Sequence, residues 1–118
     1  MTNWREERRP VSRIERLPID DLATHADADG GRLQILDVRE RGEWDAGHIT
    51  GSVHTPYHAV TEVPQGIDPQ RPVAVVCASG QRAAIAARLL ARHGATEVIH
   101  VVEGGVPAWE RAGGATER

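Results

Sequence analysis

Residues 73–82, which read VAVVCASGQR, decide the fold of this sequence. They open with an uninterrupted β-branched apolar run, the pattern of a strand buried on both faces. A short polar turn with one glycine follows. From residue 81 the sequence QRAAIAARLLARH is rich in strong helix formers and runs up to Gly94, a typical residue after a helix end. This stretch therefore predicts a buried strand, a tight turn and a long helix in immediate succession.

The same alternation of strand and helix extends on both sides of this stretch. Further strands are predicted at 12–17, 33–38, 52–54 and 97–102, and helices or helical turns at 18–22, 39–46, 57–63 and 106–112. Regular alternation favours an α/β fold in which helices cover both faces of a parallel sheet. Ligands of such sheets bind at the carboxyl ends of the strands. Asp37 and Cys77 lie at the ends of two predicted strands, so they are the first candidate site residues.

The composition is that of one globular domain. The chain has 118 residues, of which 40% are hydrophobic and 26% are charged. The chain has 14 basic and 17 acidic residues. The basic residues form no continuous stripe, which argues against a nucleic-acid partner. The apolar runs fall far short of the roughly 20 residues that cross a bilayer, so no membrane partner is expected. The first ten residues lack the apolar segment of a secretory signal, which predicts a cytoplasmic location.

The expected domain boundaries follow from the two ends of the chain. Residues 1–11 are predicted to be a mobile arm, residues 12–113 the folded domain, and residues 114–118 a frayed tail. The single cysteine excludes an intrachain disulfide and a structural metal site built from several Cys ligands. The histidine pair His54 and His58 is interrupted by Pro56, and a metal needs three or four ligands. We therefore predict no metal site.

Cys77 lies where a nucleophilic cysteine is expected. The turn after it and the first turn of the following helix carry backbone N–H groups without an intrahelical partner. Curled around a sulfur atom, these groups form a concavity that binds anions and stabilises a thiolate. Gly80 permits the tight turn, and Arg82 adds a cation. The alternative is a small buried hydrophobic residue, which a cysteine at the end of an apolar strand often is.

Four segments resemble, in their order and spacing, motifs of the rhodanese family. They are DVRE at 37–40, GHITGS at 47–52, CASGQR at 77–82 and GGVPAW at 104–109. The resemblance extends over residues 12–113. It implies a three-layer α/β/α fold with a five-stranded parallel sheet in the strand order 3-2-4-5-1. It also implies a sulfurtransferase, because this chain keeps the cysteine that non-catalytic members of the family have lost.

The resemblance implies a role for each matching residue. Cys77 is the nucleophile that accepts sulfur, and Asp37 and Arg39 form a supporting pair at the end of a neighbouring strand. The loop whose backbone amides would hold the persulfide or the substrate anion consists of Ala78, Ser79, Gly80, Gln81 and Arg82. Turn or core positions are implied for Trp44, His48 and Trp109.

These residues imply a sulfur transfer in two steps. Cys77 takes a sulfane sulfur from a donor such as thiosulfate, holds it as a persulfide and passes it to a thiol or to cyanide, with no metal or organic cofactor. The implied partners are a small sulfur-donor anion and a thiol acceptor, or a protein persulfide. Ala78 and Ala83 depart from the family pattern, which often has a basic residue at the first position and Ser at the second. The missing charge at Ala78 predicts weak use of the dianion thiosulfate.

Two other functions stay open on the sequence alone. A persulfide carrier or interaction module would load Cys77 without useful turnover. A Cys-dependent phosphatase or arsenate reductase would also bind an oxyanion beside its cysteine. Phosphatases of this type place five residues between Cys and Arg, whereas four residues separate Cys77 from Arg82. The loop is therefore one residue short for a tetrahedral phosphoryl group.

Overall fold

A parallel sheet runs through the computed structural model, which describes residues 13–118. The strands are β1 (Arg13–Pro18), β2 (Gln34–Asp37), β3 (His48–Ile49), β4 (Val53–His54), β5 (Val73–Val76), β6 (Glu97–Val102) and β7 (Thr116–Glu117). Five of them form the sheet in the order β4-β2-β5-β6-β1, and every pairing is parallel. When these five strands alone are numbered along the chain, the order is 3-2-4-5-1, as the resemblance implied.

Helices cover both faces of the sheet. They are α1 (Leu22–Ala28), α2 (Arg41–Asp45), α3 (Gln81–Arg92) and α4 (Val106–Arg111), with 3₁₀ turns at Ile19–Asp21 and Tyr57–Ala59. Val73 and Val75 of β5 pack in one apolar cluster with α3, whereas Ala74 and Val76 pack in a second cluster with α1 and α4. The predicted three-layer α/β/α architecture is confirmed. No helix among residues 13–118 is long and apolar enough to span a bilayer.

The central strand β5 determines where a site can form. All four of its residues are buried, and it lies between β2 and β6. A strand buried on both faces can present a reactive residue to a ligand only beyond its end. Cys77 follows β5 directly, and Asp37 of β2 pairs in register with Val76. The two strand ends therefore lie side by side at one edge of the sheet.

The prediction of a helix at 57–63 is wrong. Only the 3₁₀ turn Tyr57–Ala59 forms, and Val60 leaves it with an extended ψ of 90°. Pro64 disfavours a helical conformation at Val63, so too few residues remain for an α-helix. Val60 instead packs in the apolar cluster on the α3 side of the sheet. The other predicted elements begin within two residues of their expected positions.

The C-terminus differs from the frayed tail expected at 114–118. Thr116 and Glu117 pair antiparallel with Ile49 and His48, so the tail ends in the short strand β7. Gly113, with a φ of +88°, permits the reversal that precedes this strand. Trp109 donates a hydrogen bond from Nε1 to the carbonyl of Ala115 at 3.0 Å. The predicted arm at 1–11, together with residue 12, lies outside the described residues.

Candidate active site

The sulfur of Cys77 lies against the backbone of the loop that follows it. The Cys77 side chain is only 1% exposed, and the Gly80 N–H donates a hydrogen bond to its Sγ at 2.9 Å. Gly80 adopts a φ of +104°, a left-handed conformation that disfavours residues with a Cβ. An N–H group directed at a sulfur atom stabilises the thiolate form over the thiol. The loop therefore presents an amide to the sulfur, as the sequence predicts.

The segment that leads into α4 closes over the other side of the cysteine. Val106 donates its backbone N–H to the carbonyl oxygen of Cys77 at 2.9 Å. A Cβ at Gly105 would overlap that same oxygen, so only glycine fits there. This contact gives a steric reason for a glycine at this position. Together, Gly105 and Val106 fix the cysteine backbone at the carboxyl end of β5.

Arg82 in the first turn of α3 is already engaged by a carboxylate. Its Nη1 lies 2.8 Å from Oε1 of Glu43 and its Nη2 lies 3.1 Å from Oε2, a two-point contact with α2. The side chains of Arg82 and Glu43 are 27% and 37% exposed. The hydrogen bond from Arg82 lowers the pKa of Glu43 to about 2, against the opposing effect of burial. The positive charge of Arg82 is therefore largely balanced before any substrate binds.

The negative charges around Arg82 act on it in return. Its pKa is raised above the usual value, chiefly by the hydrogen bond with Glu43 and further by the charges of Glu43, Cys77 and Glu40. Glu40 is exposed and lies 3.2 Å from His58. Arg82 thus stays fully protonated and faces more than one acidic group. It contributes less net positive charge to the site than the sequence alone suggests.

Asp37 and Arg39 form a buried ion pair at the end of β2. Nη2 of Arg39 lies 2.9 Å from Oδ2 of Asp37, and the two side chains are 6% and 0% exposed. The same Nη2 donates to the carbonyl of Gly47 at 2.8 Å. The pair therefore joins the strand end to the turn that follows α2. It holds α2, and with it Glu43, beside the loop after Cys77.

The sequence matches a known family over most of its length. The profile of the rhodanese-like domain covers residues 20–112. The chain belongs to this family. The thiosulfate sulfurtransferase GlpE of Pseudomonas putida is 31% identical over 113 residues, which cover 91% of this chain and 100% of GlpE.

Two further relatives extend the comparison. YrkF of Bacillus subtilis is 34% identical over 94 residues, which cover 80% of this chain and 50% of YrkF. It is described as a provisional sulfur carrier. This chain thus spans half the length of that relative. A solved structure of a Rhodopseudomonas palustris protein of unknown function, described as a possible tyrosine phosphatase, has a TM-score of 0.73 at 28% identity, over 88% of this chain and 85% of that one. Family membership and the two sulfur-handling relatives support a sulfurtransferase-like or sulfur-carrier role.

An aromatic stack supports α2 in this rhodanese-like domain. The rings of Trp44 and His48 are parallel with centroids 3.4 Å apart, and the ring of His54 stacks on Trp44 with a centroid distance of 4.8 Å. Nδ1 of His48 lies 3.0 Å from the carbonyl of Trp44. His48 thus fixes the turn that it was expected to stabilise. Trp109 packs against the second apolar cluster, whereas Trp44 stacks with the two imidazoles.

The outer part of the loop offers little charge to a ligand. Ser79 and Gln81 are exposed, Ala78 is partly exposed, and none of the three carries a charge. Among residues 13–118, no three His, Cys, Asp or Glu side chains converge in a way that could hold a metal ion. The contacts around the loop are therefore those between Gly80 and Cys77 and between Arg82 and Glu43.

The sequence patterns do not predict the roles of three residues around this site: Glu43, His100 and Gly105. Glu43 lies in the first turn after β2, at the edge of the sheet where Cys77 is found. His100 is a polar residue inside the apolar strand β6, and its Nε2 lies 2.7 Å from the carbonyl oxygen of Gly80. Gly105 belongs to a matched motif but had no assigned role. The sequence offers one signal for each of the first two residues: His100 is a polar residue in an apolar strand, and Glu43 is an acidic residue shortly after a strand end.

Proposed function

We propose that this protein is a rhodanese-type sulfurtransferase, which moves a sulfane sulfur through a persulfide on Cys77. The observation that carries the proposal is the sulfur of Cys77 at the end of β5, with the Gly80 N–H donating to it at 2.9 Å. Family membership and the GlpE relative support the same reaction. The single cysteine must stay reduced between turnovers, which suits a reducing compartment such as the cytoplasm.

The first half-reaction loads sulfur onto Cys77. The thiolate attacks the outer sulfur of thiosulfate, and an S–S bond forms between them. The bond to the inner sulfur breaks, and sulfite leaves with its electron pair. The resulting persulfide carries one negative charge on its outer sulfur. The Gly80 amide, which faces Sγ, and the neighbouring loop amides are suited to hold that anion.

The second half-reaction unloads the sulfur. A thiolate or cyanide attacks the outer sulfur of the persulfide, and the S–S bond breaks so that the electron pair returns to Cys77. The products are a new persulfide on the acceptor, or thiocyanate, together with the free Cys77 thiolate. Each half-reaction conserves charge and needs no other reactant. Double displacement of this kind gives ping-pong kinetics.

The charges around the loop after Cys77 favour a donor with less charge than thiosulfate. A thiosulfate dianion must approach a thiolate, Ala78 supplies no cation, and Arg82 is held by Glu43 at 2.8 Å. A persulfide on a protein or a small thiol brings one negative charge at most to the reacting sulfur. We therefore propose a persulfide as the better natural donor and a thiol as the acceptor.

A persulfide carrier without turnover is the second candidate, and one observation favours it. Cys77 is only 1% exposed, which restricts the approach of a free small acceptor and suits exchange inside a complex between two proteins. The relative YrkF, described as a sulfur carrier, points in the same direction. Steady-state thiocyanate production from thiosulfate and cyanide separates the two functions. Many turnovers per Cys77 support the enzyme, and a single stoichiometric release supports the carrier.

Phosphatase chemistry is tested in the same assay series. Only four residues separate Cys77 from Arg82. The guanidinium of Arg82 is already hydrogen-bonded to the carboxylate of Glu43 in α2. We expect no Cys77-dependent hydrolysis of p-nitrophenyl phosphate. Hydrolysis that disappears in Cys77→Ser and matches the rate of thiocyanate formation would exclude the assignment as a dedicated sulfurtransferase.

A further inference from the structure

The feature that carries the inference is the contact between His100 and the loop after Cys77. His100 lies in β6 and is partly buried, two residues after Val98, which packs in the apolar cluster on the α3 side. Its Nε2 lies 2.7 Å from the carbonyl oxygen of Gly80. A carbonyl oxygen can only accept a hydrogen bond, so Nε2 carries the proton. The neutral ring in this tautomer and the protonated ring both keep that donor.

Gly80 is thereby fixed through both of its polar groups. Its carbonyl oxygen accepts from His100 and, at 3.2 Å, from the backbone N–H of Ala84. Its N–H donates to Sγ of Cys77 at 2.9 Å. Glycine has the largest conformational freedom of any residue, so its orientation depends on such contacts. The carbonyl of Gly80 is therefore held from two sides, by His100 of β6 and by Ala84 of α3, and both contacts restrain the conformation of the residue whose amide faces the sulfur.

We infer that His100 is a positioning residue for Cys77: its Nε2–H holds the Gly80 carbonyl so that the Gly80 N–H stays directed at the sulfur. His100 touches neither the sulfur nor a substrate, and it acts only through Gly80. The result is a sulfur atom that keeps its hydrogen-bond donor and, if the proposed function holds, a better stabilised persulfide. The contact from Val106 to the Cys77 carbonyl fixes the cysteine backbone and does not involve Gly80.

Two amide substitutions at His100 distinguish a hydrogen-bond role of this side chain from a purely steric one. The side-chain nitrogen of Gln reaches about as far as Nε2 of His, whereas that of Asn reaches only as far as Nδ1. His100→Gln should therefore restore the donor to Gly80, and His100→Asn should not, although both are polar. His100→Leu removes the donor altogether. His93→Asn, at the exposed far end of α3, serves as the matched control.

The experiment follows the alkylation of Cys77 by iodoacetamide against pH in the full-length chain. Loss of the His100 hydrogen bond to the loop should slow alkylation at neutral pH by up to about tenfold and move its pH profile to higher pH in His100→Asn and His100→Leu. His100→Gln and His93→Asn should stay close to the wild type. Thermal unfolding of each variant is measured alongside, because a purely structural role would lower the melting temperature without moving the alkylation midpoint.

The outcome decides the inference even if His100→Leu fails to fold. A wild-type midpoint in His100→Asn, or equal losses in His100→Asn and His100→Gln, would overturn it. Alkylation needs no sulfur donor and no acceptor. Failure of the proposed sulfur transfer would therefore leave this test intact, and failure of the His100 contact would leave sulfur loading to be judged separately.

Discussion

The inner and outer parts of the site are built in different ways. The inner part, formed by Cys77, Gly80 and Gly105, consists of buried backbone in which a hydrogen bond and a steric limit fix the sulfur. The outer part, formed by Ala78, Arg82 and Glu43, consists of side chains that are partly exposed and whose charges balance each other. Under the proposed function, the inner part should determine whether sulfur chemistry is possible at all. The outer part should then determine which donor is accepted.

This difference predicts unequal tolerance to change. A backbone contact inside a packed interior cannot adjust, so a single added methyl group lowers the stability of the fold. A partly exposed ion pair is worth little, since water and salt replace much of its attraction. Substitutions in the inner part should therefore impair folding and reactivity together. Substitutions in the outer part should change substrate use in a protein that stays folded.

The largest effect is expected for Gly105→Ala. The new Cβ would overlap the carbonyl oxygen of Cys77, and because the obstacle is backbone no side chain can move aside. We expect a loss of roughly 1–3 kcal/mol in the free energy of unfolding. Urea unfolding and the rate of Cys77 alkylation measure the two consequences.

Gly42→Ala is the matched control for that substitution. Gly42 lies in α2, and a Cβ there meets nothing within 4 Å. Alanine should leave the free energy of unfolding unchanged or raise it, because alanine favours helix over glycine by about 1 kcal/mol. Equal stability of the Gly105→Ala and Gly42→Ala variants would show that the inner part is not sterically fixed.

A smaller effect, confined to substrate use, is expected for Ala78→Arg. The new cation would stand next to Cys77, where one charge contact at about 4 Å is worth about 1 kcal/mol in water and about 4 kcal/mol at an effective dielectric of 20. Partial exposure of this position places the gain near the lower value. The KM for thiosulfate should fall about five- to tenfold at low ionic strength, and the gain should shrink as salt is added.

Gln70→Arg provides the control for added charge. Gln70 is exposed and precedes β5, so it lies at the opposite edge of the sheet from Cys77. The same charge placed there should leave the KM for thiosulfate unchanged. If Ala78→Arg also leaves it unchanged at low ionic strength, position 78 does not face the substrate, and the outer part of the site is assigned incorrectly.

The smallest effect is expected for Glu43→Gln, and it depends on pH. The pKa of Glu43 is lowered from 4.5 to about 2 in the folded protein, so its ionised form stabilises the fold. That contribution is complete above about pH 4.5 and disappears as the pH falls toward 2. At pH 7 the variant should lose less than about 1 kcal/mol, as for other partly exposed ion pairs.

Urea unfolding at pH 7 and at pH 3 tests this sign. The difference between wild type and Glu43→Gln should be smaller at pH 3, where the unfolded chain already binds the proton. Asp45→Asn, which breaks the exposed pair with Arg41, should show little difference at either pH. A wild-type advantage that grows as the pH falls would contradict the assigned ion pair.

The sequence predicts the inner part of the site better than the outer part. The apolar run at 73–76 and the helix-forming residues after 81 follow local rules of periodicity and propensity, so the strand, the turn and the helix could all be derived. The position of Cys77 between them follows from the same rules. Gly80 could be identified because a tight turn at that point needs a residue without a Cβ.

The contacts that the sequence did not predict join residues far apart in the chain. Glu43 and Arg82 are separated by 39 residues, and Gly80 and His100 by 20. The chain order does not show which side chain of one strand end meets which residue of another. The same limit explains the C-terminal strand, where Thr116 pairs with Ile49 although the local composition at 114–118 indicates a frayed end.

The most direct test of the account is the intact mass of the protein after incubation with thiosulfate. One sulfur atom should add about 32 Da to the wild type, and dithiothreitol should remove it. Cys77→Ser should gain no mass under the same conditions. Sulfur loading that persists in Cys77→Ser would contradict the account, because it would place the sulfur on a group other than the cysteine held at the end of β5.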